Sequence, residues 1–324
     1  MPVDALIRMF LGACLAVALA AAAPAQDYPS RPITLVVPYP AGGGNDLIAR
    51  VVAEKMSAAL GQPMVIENRG GAGGTIATRQ VARAAADGYT LLVATSSLAI
   101  NPSIYPNVGY DPRADFSPIG LMAASQNVLL VHPSVTAASV GELIARAKEA
   151  PGRLTFASTG GGNSVQLAAE LFASMAGVAL TQVPYKGNGP ALSDLLGGHV
   201  AIMFSPLPGA VGLVKDSKVR ALAVTGGRLS PLFPDLPTIA EAGLPGYESV
   251  LHYGIVAPAG TPKPIVDKVA AALRAAIASP DVQARIATDG AEVMGMTPDE
   301  YAADIDREET KWSDIVRHSG AKAE

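Results

Sequence analysis

The sequence predicts an α/β fold in two units, each a mixed, mostly parallel sheet flanked by helices. Three observations carry this expectation. The chain has 324 residues, about the length of two domains. Short apolar runs rich in Val, Ile and Leu alternate with longer helical stretches, the order that builds parallel sheets. A unit of strand, glycine-rich loop and helix occurs at 33–60 and again at 154–175.

Composition narrows the partners. Apolar residues make up 49% of the chain and aromatics only 5%, so the core must be mostly Ala, Val, Leu and Ile. The net charge of −4 comes without blocks of like charge, which argues against a nucleic-acid partner. Local dipoles still suit an anion, because salt screens more distant charges over about 8 Å.

Residues 10–23 are almost unbroken apolar, and Ala23-Pro24-Ala25 fits a small-x-small cleavage site. This predicts a signal peptide over 1–25, cleaved after Ala25, and export to a periplasm. The run falls short of the ~20 residues a spanning helix needs. Cys14 is the one cysteine and lies inside it, so the mature chain is expected to hold no disulfide, thiol chemistry or cysteine metal site.

The elements follow in order. Residues 33–37 read as a buried strand, 38–46 as a glycine loop and 47–60 as a helix that stops at Gly61. Strand 64–67, glycine loop 68–74, helix 75–86 and strand 89–95 complete the first pattern. Residues 96–117 carry Pro102, Pro106 and Pro112 without a period and are expected to be irregular. Two short apolar runs, 119–122 and 128–132, are expected to flank the first crossing between units. Ser139-Val140-Gly141-Glu142 is a capping box for a helix ended by Pro151-Gly152. Strand 154–157, loop 158–163 and helix 164–175 repeat the opening unit. Strand 180–183, helix 191–196 and strands 200–204 and 219–224 follow, the last two around a Gly- and Pro-rich helical segment. Residues 231–246 read as a proline-rich return, and 253–257 as a strand. Thr261-Pro262, Ser279-Pro280 and Thr297-Pro298-Asp299-Glu300 each open a helix. The final helix should pack Trp312, Ile315 and Val316 against the first unit. The units are expected to span 26–124 with 226–324, and 125–225.

The glycine loops carry the chemistry. Pro38-Tyr39-Pro40-Ala41-Gly42-Gly43-Gly44-Asn45-Asp46 runs from a strand into a helix, as does Thr159-Gly160-Gly161-Gly162-Asn163-Ser164. At such a turn backbone N–H groups are unpaired, glycine lets a ligand approach the main chain, and the helix dipole favours negative charge. Asn45 or Asp46, and Asn163, stand where they would cap the helix that follows. The expectation is two jaws that hold one acidic molecule. Nucleotides are disfavoured: no G-x-x-x-x-G-K-[ST] occurs, and Leu47, Ile76 and Val165 stand where dinucleotide fingerprints want Gly or Ala. Ser164 lacks the closing glycine of a nucleophile elbow, and His132, His199, His252 and His318 lie in unlike contexts without metal-ligand spacing. Neither a cofactor nor a metal is expected.

Several stretches together resemble one family. They are Tyr28-Pro29-Ser30-Arg31-Pro32-Ile33, the 37–46 loop, Ile66-Glu67-Asn68-Arg69-Gly70-Gly71-Ala72-Gly73-Gly74, and Val183-Pro184-Tyr185-Lys186-Gly187. Further along come Arg220-Ala221-Leu222-Ala223-Val224-Thr225, Pro237-Thr238-Ile239-Ala240-Glu241-Ala242-Gly243 and Ala257-Pro258-Ala259-Gly260-Thr261-Pro262. The chain resembles the extracytoplasmic substrate-binding proteins of tripartite tricarboxylate transporters, the Bug family, over nearly its whole mature length. The resemblance implies a two-domain, type II-like periplasmic binding protein fold with two crossover segments. It also implies a ligand carboxylate gripped mainly by main-chain N–H groups of 39–46 and 159–164.

Candidate contacts are then Tyr39, Ala41, Gly42, Gly43, Asn45, Asp46, Ser96 and Ser97 on one side. Thr159, Gly160, Gly162, Asn163, Ser164, Gln166, Tyr185, Lys186 and Ser205 are the candidates on the other. Two departures bear on the ligand. Gln166 stands where the family has His and cannot become a cation, and Ser205 stands where it often has Asp, which weakens the case for an ammonium-bearing ligand. The expected partners are a small organic acid and the permease subunits of a tripartite transporter, with the receptor a monomer. Signalling to a sensor kinase stays open as an alternative output. A periplasmic carboxylate- or ester-processing enzyme is the reading from another class, and it lacks a nucleophile–base–orienter set.

Overall fold

The computed structural model describes residues 28–42, 44–158, 164–185, 187–288 and 290–319. The first elements are β1 (Ile33–Val37), α1 (Gly44–Leu60), β2 (Met64–Asn68), α2 (Thr75–Ala82), β3 (Thr90–Thr95), α3 (Ser97–Ile104) and β4 (Phe116–Val131). Next come α4 (Val140–Glu149), β5 (Thr155–Ser158), α5 (Ser164–Ala176), β6 (Thr181–Pro184), α6 (Asn188–Leu196), β7 (Ile202–Pro206), α7 (Leu207–Lys215) and β8 (Arg220–Val224). The chain closes with β9 (Val250–Pro258), α8 (Lys263–Ile277), α9 (Pro280–Thr288), β10 (Ala291–Val293) and α10 (Pro298–Ser319).

These elements make one curled sheet in the order β2-β1-β3-β9-β4-β7-β5-β6, with β8 and β10 also paired to β4. β4 belongs to both halves. From Phe116 to Gln126 it pairs with β9, and from Asn127 to Val131 with β7. Its 16 residues reach about 50 Å. The polar residues in the middle of β4 explain why 119–122 and 128–132 read as separate runs, whereas they form one strand. Gln126 and Asn127 are buried and wire the crossing together. Asn127 donates its backbone N–H to Thr225 Oγ1 at 2.8 Å and accepts from Thr225 N at 2.9 Å, and Gln126 Oε1 accepts from Gly226 N at 2.9 Å.

Strand directions place the loops. β1 is parallel to β2 and β3, and β3 and β4 are both antiparallel to β9, so β1, β2 and β3 run with β4. β7 is antiparallel to β4 and parallel to β5, which is parallel to β6. The carboxyl ends of the two parallel sets therefore point toward each other from opposite sides of the crossing at 125–127.

Each half has an apolar cluster on both sheet faces. In the first half, Leu35, Met56 and Leu273 lie on one face, and Val36, Leu92 and Tyr301 on the other. In the second, Phe156, Phe172 and Phe204 lie on one face, and Ala157, Leu195 and Met203 on the other. The side-chain alternation of β1 explains its strand propensity: buried on both faces, it reads as a continuous Ile-Thr-Leu-Val-Val run.

Two further expectations are corrected. Residues 97–104 form α3 in spite of Pro102. Proline supplies no N–H to the carbonyl of Leu98, but Tyr110 Oη donates to that oxygen at 3.3 Å, so the helix carries no orphaned acceptor there. Trp312, Ile315 and Val316 pack not against the first half alone but in a cluster that joins Ile100 and Ile104 of α3 to Phe172 and Phe204 of the second half, because α10 packs against α3 and α5 as well as β4. The segment 226–249 places Ile239, Leu244 and Tyr247 in that same cluster. The Thr297–Glu300 capping box forms: Thr297 N donates to Glu300 Oε2 at 2.8 Å and Glu300 N to Thr297 Oγ1 at 3.3 Å.

Gly254 of β9 is a packing requirement. A Cβ there would stand 2.2 Å from the Tyr301 ring. Gly254→Ala should therefore destabilise the protein by about 1–3 kcal/mol, read as a lower urea midpoint at unchanged slope.

Candidate ligand-binding site

The first glycine loop is staked by a buried carboxylate. Asp46, in the first turn of α1, is 2% exposed. Its Oδ2 accepts from Gly42 N and from Arg50 Nε, each at 2.9 Å, and its Oδ1 accepts from Asn68 Nδ2 at 2.9 Å. Asn68 Nδ2 also reaches Tyr39 O at 3.1 Å, and Arg50 Nη2 donates to Asn68 Oδ1 at 3.1 Å. The hydrogen bond from Arg50 leads the causes that pull the Asp46 pKa from 3.8 to about 2, with the Gly42 and Asn68 bonds adding to it against desolvation. The charge that would repel an anion is thus neutralised inside the loop. The Gly42 N–H is spent on Asp46, so among the main-chain donors expected to grip a ligand, this one is turned inward. Gly42 has φ 85°, a left-handed turn that suits glycine.

Three hydroxyls fix the next wall. Tyr39 Oη lies 2.8 Å from Ser97 Oγ and 3.2 Å from Thr95 Oγ1, and those two lie 2.7 Å apart. Asn101 Nδ2 donates to Gly73 O at 3.0 Å and ties the second glycine loop to α3. The loops after β1, β2 and β3 therefore form one cross-linked surface at the edge that faces the crossing. Asn45 Oδ1 is buried there without a hydrogen-bond partner among the described residues.

On the opposite edge, Tyr185 N donates to Ser158 O at 2.7 Å, joining the ends of β5 and β6. Ser158 is fully buried, and its Oγ has no hydrogen-bond partner among the described residues. Gln166 is buried in the first turn of α5, with Nε2 donating to Glu170 Oε1 at 2.8 Å. Tyr185 Oη donates to Asp194 Oδ2 at 2.7 Å, and burial together with that carboxylate pushes its pKa up to about 12. Ser205 is fully buried, and its Oγ donates to Pro206 O at 3.2 Å.

Of the residues singled out in the sequence, the structure brings together Tyr39, Ala41, Gly42, Asn45, Asp46 and Ser97 around the first loop. Ser96 is turned away to β9: its Oγ accepts from His252 N at 2.9 Å. Gly43, Thr159, Gly160, Gly162, Asn163 and Lys186 lie outside the described residues, and Ser164 is the first residue of α5. Sequence reasoning missed Arg50, Asn68 and Thr95 as parts of the site. Asn68 lies in the Ile66–Gly74 glycine-loop motif, but nothing local says that an Asn at a strand end reaches a helix 22 residues earlier.

Asp46 sets a pH dependence. Its folded pKa lies below the ordinary value, so it stabilises the fold fully above about pH 4 and loses that contribution as pH falls through about 2. Arg50 is half exposed, which limits the contribution to about 1–2 kcal/mol. Asp46→Asn should lose that stability at pH 6 and show a flatter stability profile between pH 4 and 2, measured by denaturation at each pH.

Comparison with known proteins shows the family. The model of the Tripartite tricarboxylate transporter family receptor (TctC) matches residues 48–321. Protein BugT of Bordetella pertussis is 39% identical over 306 residues, covering 94% of both chains. The solved structure of R. palustris Rpa4515 with adipate superposes with a TM-score of 0.79 at 37% identity, covering 92% of this chain and 100% of that one. MatC (Rpa3494) from Rhodopseudomonas palustris with bound malate superposes with a TM-score of 0.74 at 35% identity, covering 89% of this chain and 100% of that one. The chain therefore belongs to the tripartite tricarboxylate transporter receptors, the Bug family of solute-binding proteins, and has their periplasmic binding protein fold.

Proposed function

We propose that this protein is an exported receptor that closes on a small organic carboxylate and delivers it to the permease subunits of a tripartite transporter. The observation that carries this reading is the convergence of two sets of parallel-strand ends on one crossing, with α1 starting at one edge and α5 at the other. Each helix start favours a carboxylate by roughly 0.3–1 kcal/mol, about 2 kcal/mol when partly buried. Charge-assisted hydrogen bonds from first-turn N–H groups add to this. Asn45 Oδ1 and Ser158 Oγ, one at each edge, supply polar atoms that lack partners among the described residues. Adipate and malate, found in the two solved relatives, are both carboxylates. The remainder of the ligand carries no ammonium group in this reading, since a buried neutral hydroxyl occupies position 205.

A thermal-shift panel of organic acids with adipate, malate and aspartate tests the reading. A transportable acid at about a thousand times its Kd should stabilise the protein by ~4 kcal/mol. No shift with any dicarboxylate, or a shift with aspartate alone, goes against it. The first loop has its own test. A Cβ on Gly44 meets nothing within 4 Å in the protein. Gly44→Ala should therefore keep the wild-type unfolding midpoint and weaken acid binding about tenfold or more, measured by calorimetry, because the methyl group stands where the ligand approaches the helix start.

A further inference from the structure

Helix α10 does not stay in one half of the molecule. Its 22 residues reach about 33 Å. The first turns are anchored to the first half. The Tyr301 ring lies against Gly254, and Asp304 Oδ2 accepts from His252 Nδ1 of β9 at 2.8 Å with both side chains buried. Arg113, which precedes β4, pairs with Asp306 Oδ1 at 3.1 Å and donates to Thr310 Oγ1 at 3.2 Å. Beyond Thr310 the helix runs between the halves, where Trp312, Ile315 and Val316 share one cluster with Ile100 and Ile104 of α3 in the first half and with Phe172 of α5 and Phe204 of β7 in the second. Trp312 is 1% exposed, and its Nε1–H donates to Glu308 Oε2 at 2.8 Å, which fixes the ring.

We propose that α10 is a strap that sets how the two halves stand relative to each other, with Trp312 as its positioning residue. The ring is rooted through the helix in the first half and packed in a cluster that joins α3 of that half to α5, the helix that begins at the second jaw. Rotation of one half about the crossing at 125–127 must shear that cluster. Close-packed clusters shift between discrete arrangements and do not deform smoothly. A cavity of about 410 Å³ lies beneath the strap, between Asp304 and Glu308 on the helix, His252 on β9, and Arg228 and Glu248 of the segment that joins β8 to β9. It gives the helix and that segment room to move past each other. Trp312 lies on neither glycine loop, so it acts on the ligand through the orientation of α5.

The strap is testable without a ligand. Spin labels at Glu54→Cys on α1 and Glu149→Cys on α4, on a Cys14→Ser background, report the separation of the halves by pulsed dipolar spectroscopy. Both positions are exposed. Trp312→Ala should broaden the distance distribution at native circular dichroism, and Trp312→Phe should retain the parent distribution. An unchanged distribution in Trp312→Ala overturns the proposal; if that variant does not fold, Ile315→Ala is read in the same way.

The second arm rests on the receptor reading. Trp312 is the one tryptophan in the chain. Its emission should change saturably when adipate or malate is titrated, with the Kd found by calorimetry. Trp312→Ala should raise that Kd about three- to tenfold, because fewer molecules start in the binding-competent arrangement. Heat of binding with unchanged emission, or an unaltered Kd in Trp312→Ala, overturns the coupling. Absence of heat with either acid counts against the receptor reading, and the label distances then decide the strap by themselves.

Discussion

At Gln126 and Asn127, β4 exchanges one set of hydrogen-bonded neighbours for another. The strand enters this point paired to β9 and leaves it paired to β7 and β8. Thr225 and Ser249, one on each side of the returning segment, close the knot: Thr225 Oγ1 donates to Ser249 O at 2.7 Å and Ser249 N to Thr225 O at 2.8 Å. All four residues are buried; Asn127, Thr225 and Ser249 bond to one another, and Gln126 accepts from Gly226 N. A buried polar knot of this kind is costly if any member is lost, which holds the two crossings in one place. The direction of every other strand, and so the meeting of the two loop-bearing edges, follows from the pairing on either side of it.

The first glycine loop is held in place for a different reason. A strand–glycine–helix turn has few side chains of its own with which to hold a shape. Asp46 provides the hold by bonding back to Gly42 and across to Arg50 and Asn68. This consumes one main-chain donor and one carboxylate, and it leaves the start of α1 shaped without leaving net negative charge at its mouth. Tyr39, Thr95 and Ser97 extend the same support to the end of β3 through shared hydroxyls. A site that binds through its main chain depends on such staking, because the donors must already point the right way when the ligand arrives.

The strap and the staked loop act on different degrees of freedom. Loop staking fixes donors within one half. The α10 contacts, running from His252 and Arg113 to the Phe172 cluster, bear on how the halves meet. A receptor needs both, since a well-shaped jaw binds weakly if its partner rarely stands opposite.

The amino-acid sequence by itself determined the class of fold, the order of nearly all the elements, the two glycine loops and the family. These are local or near-local signals: apolar runs of strand length, capping residues such as Thr297 and Glu300, and glycines between strand and helix. It also pointed to Tyr39, Asn45, Asp46 and Ser97. What it could not determine were the long-range pairings. α3 was hidden because Pro102 reads as a breaker until Tyr110 is seen to serve the Leu98 carbonyl. Ser96 and Ser97 are neighbours in sequence, yet one bonds to β9 and the other to Tyr39, since adjacent residues at a strand end point to different surroundings. β10 is three residues long and shows no period. Trp312 has the spacing of a buried helical residue, which states that it is covered and not by what. Only the tertiary structure decided that, because periodicity records which face of a helix avoids water, while the partner is chosen by packing across residues far apart in the chain.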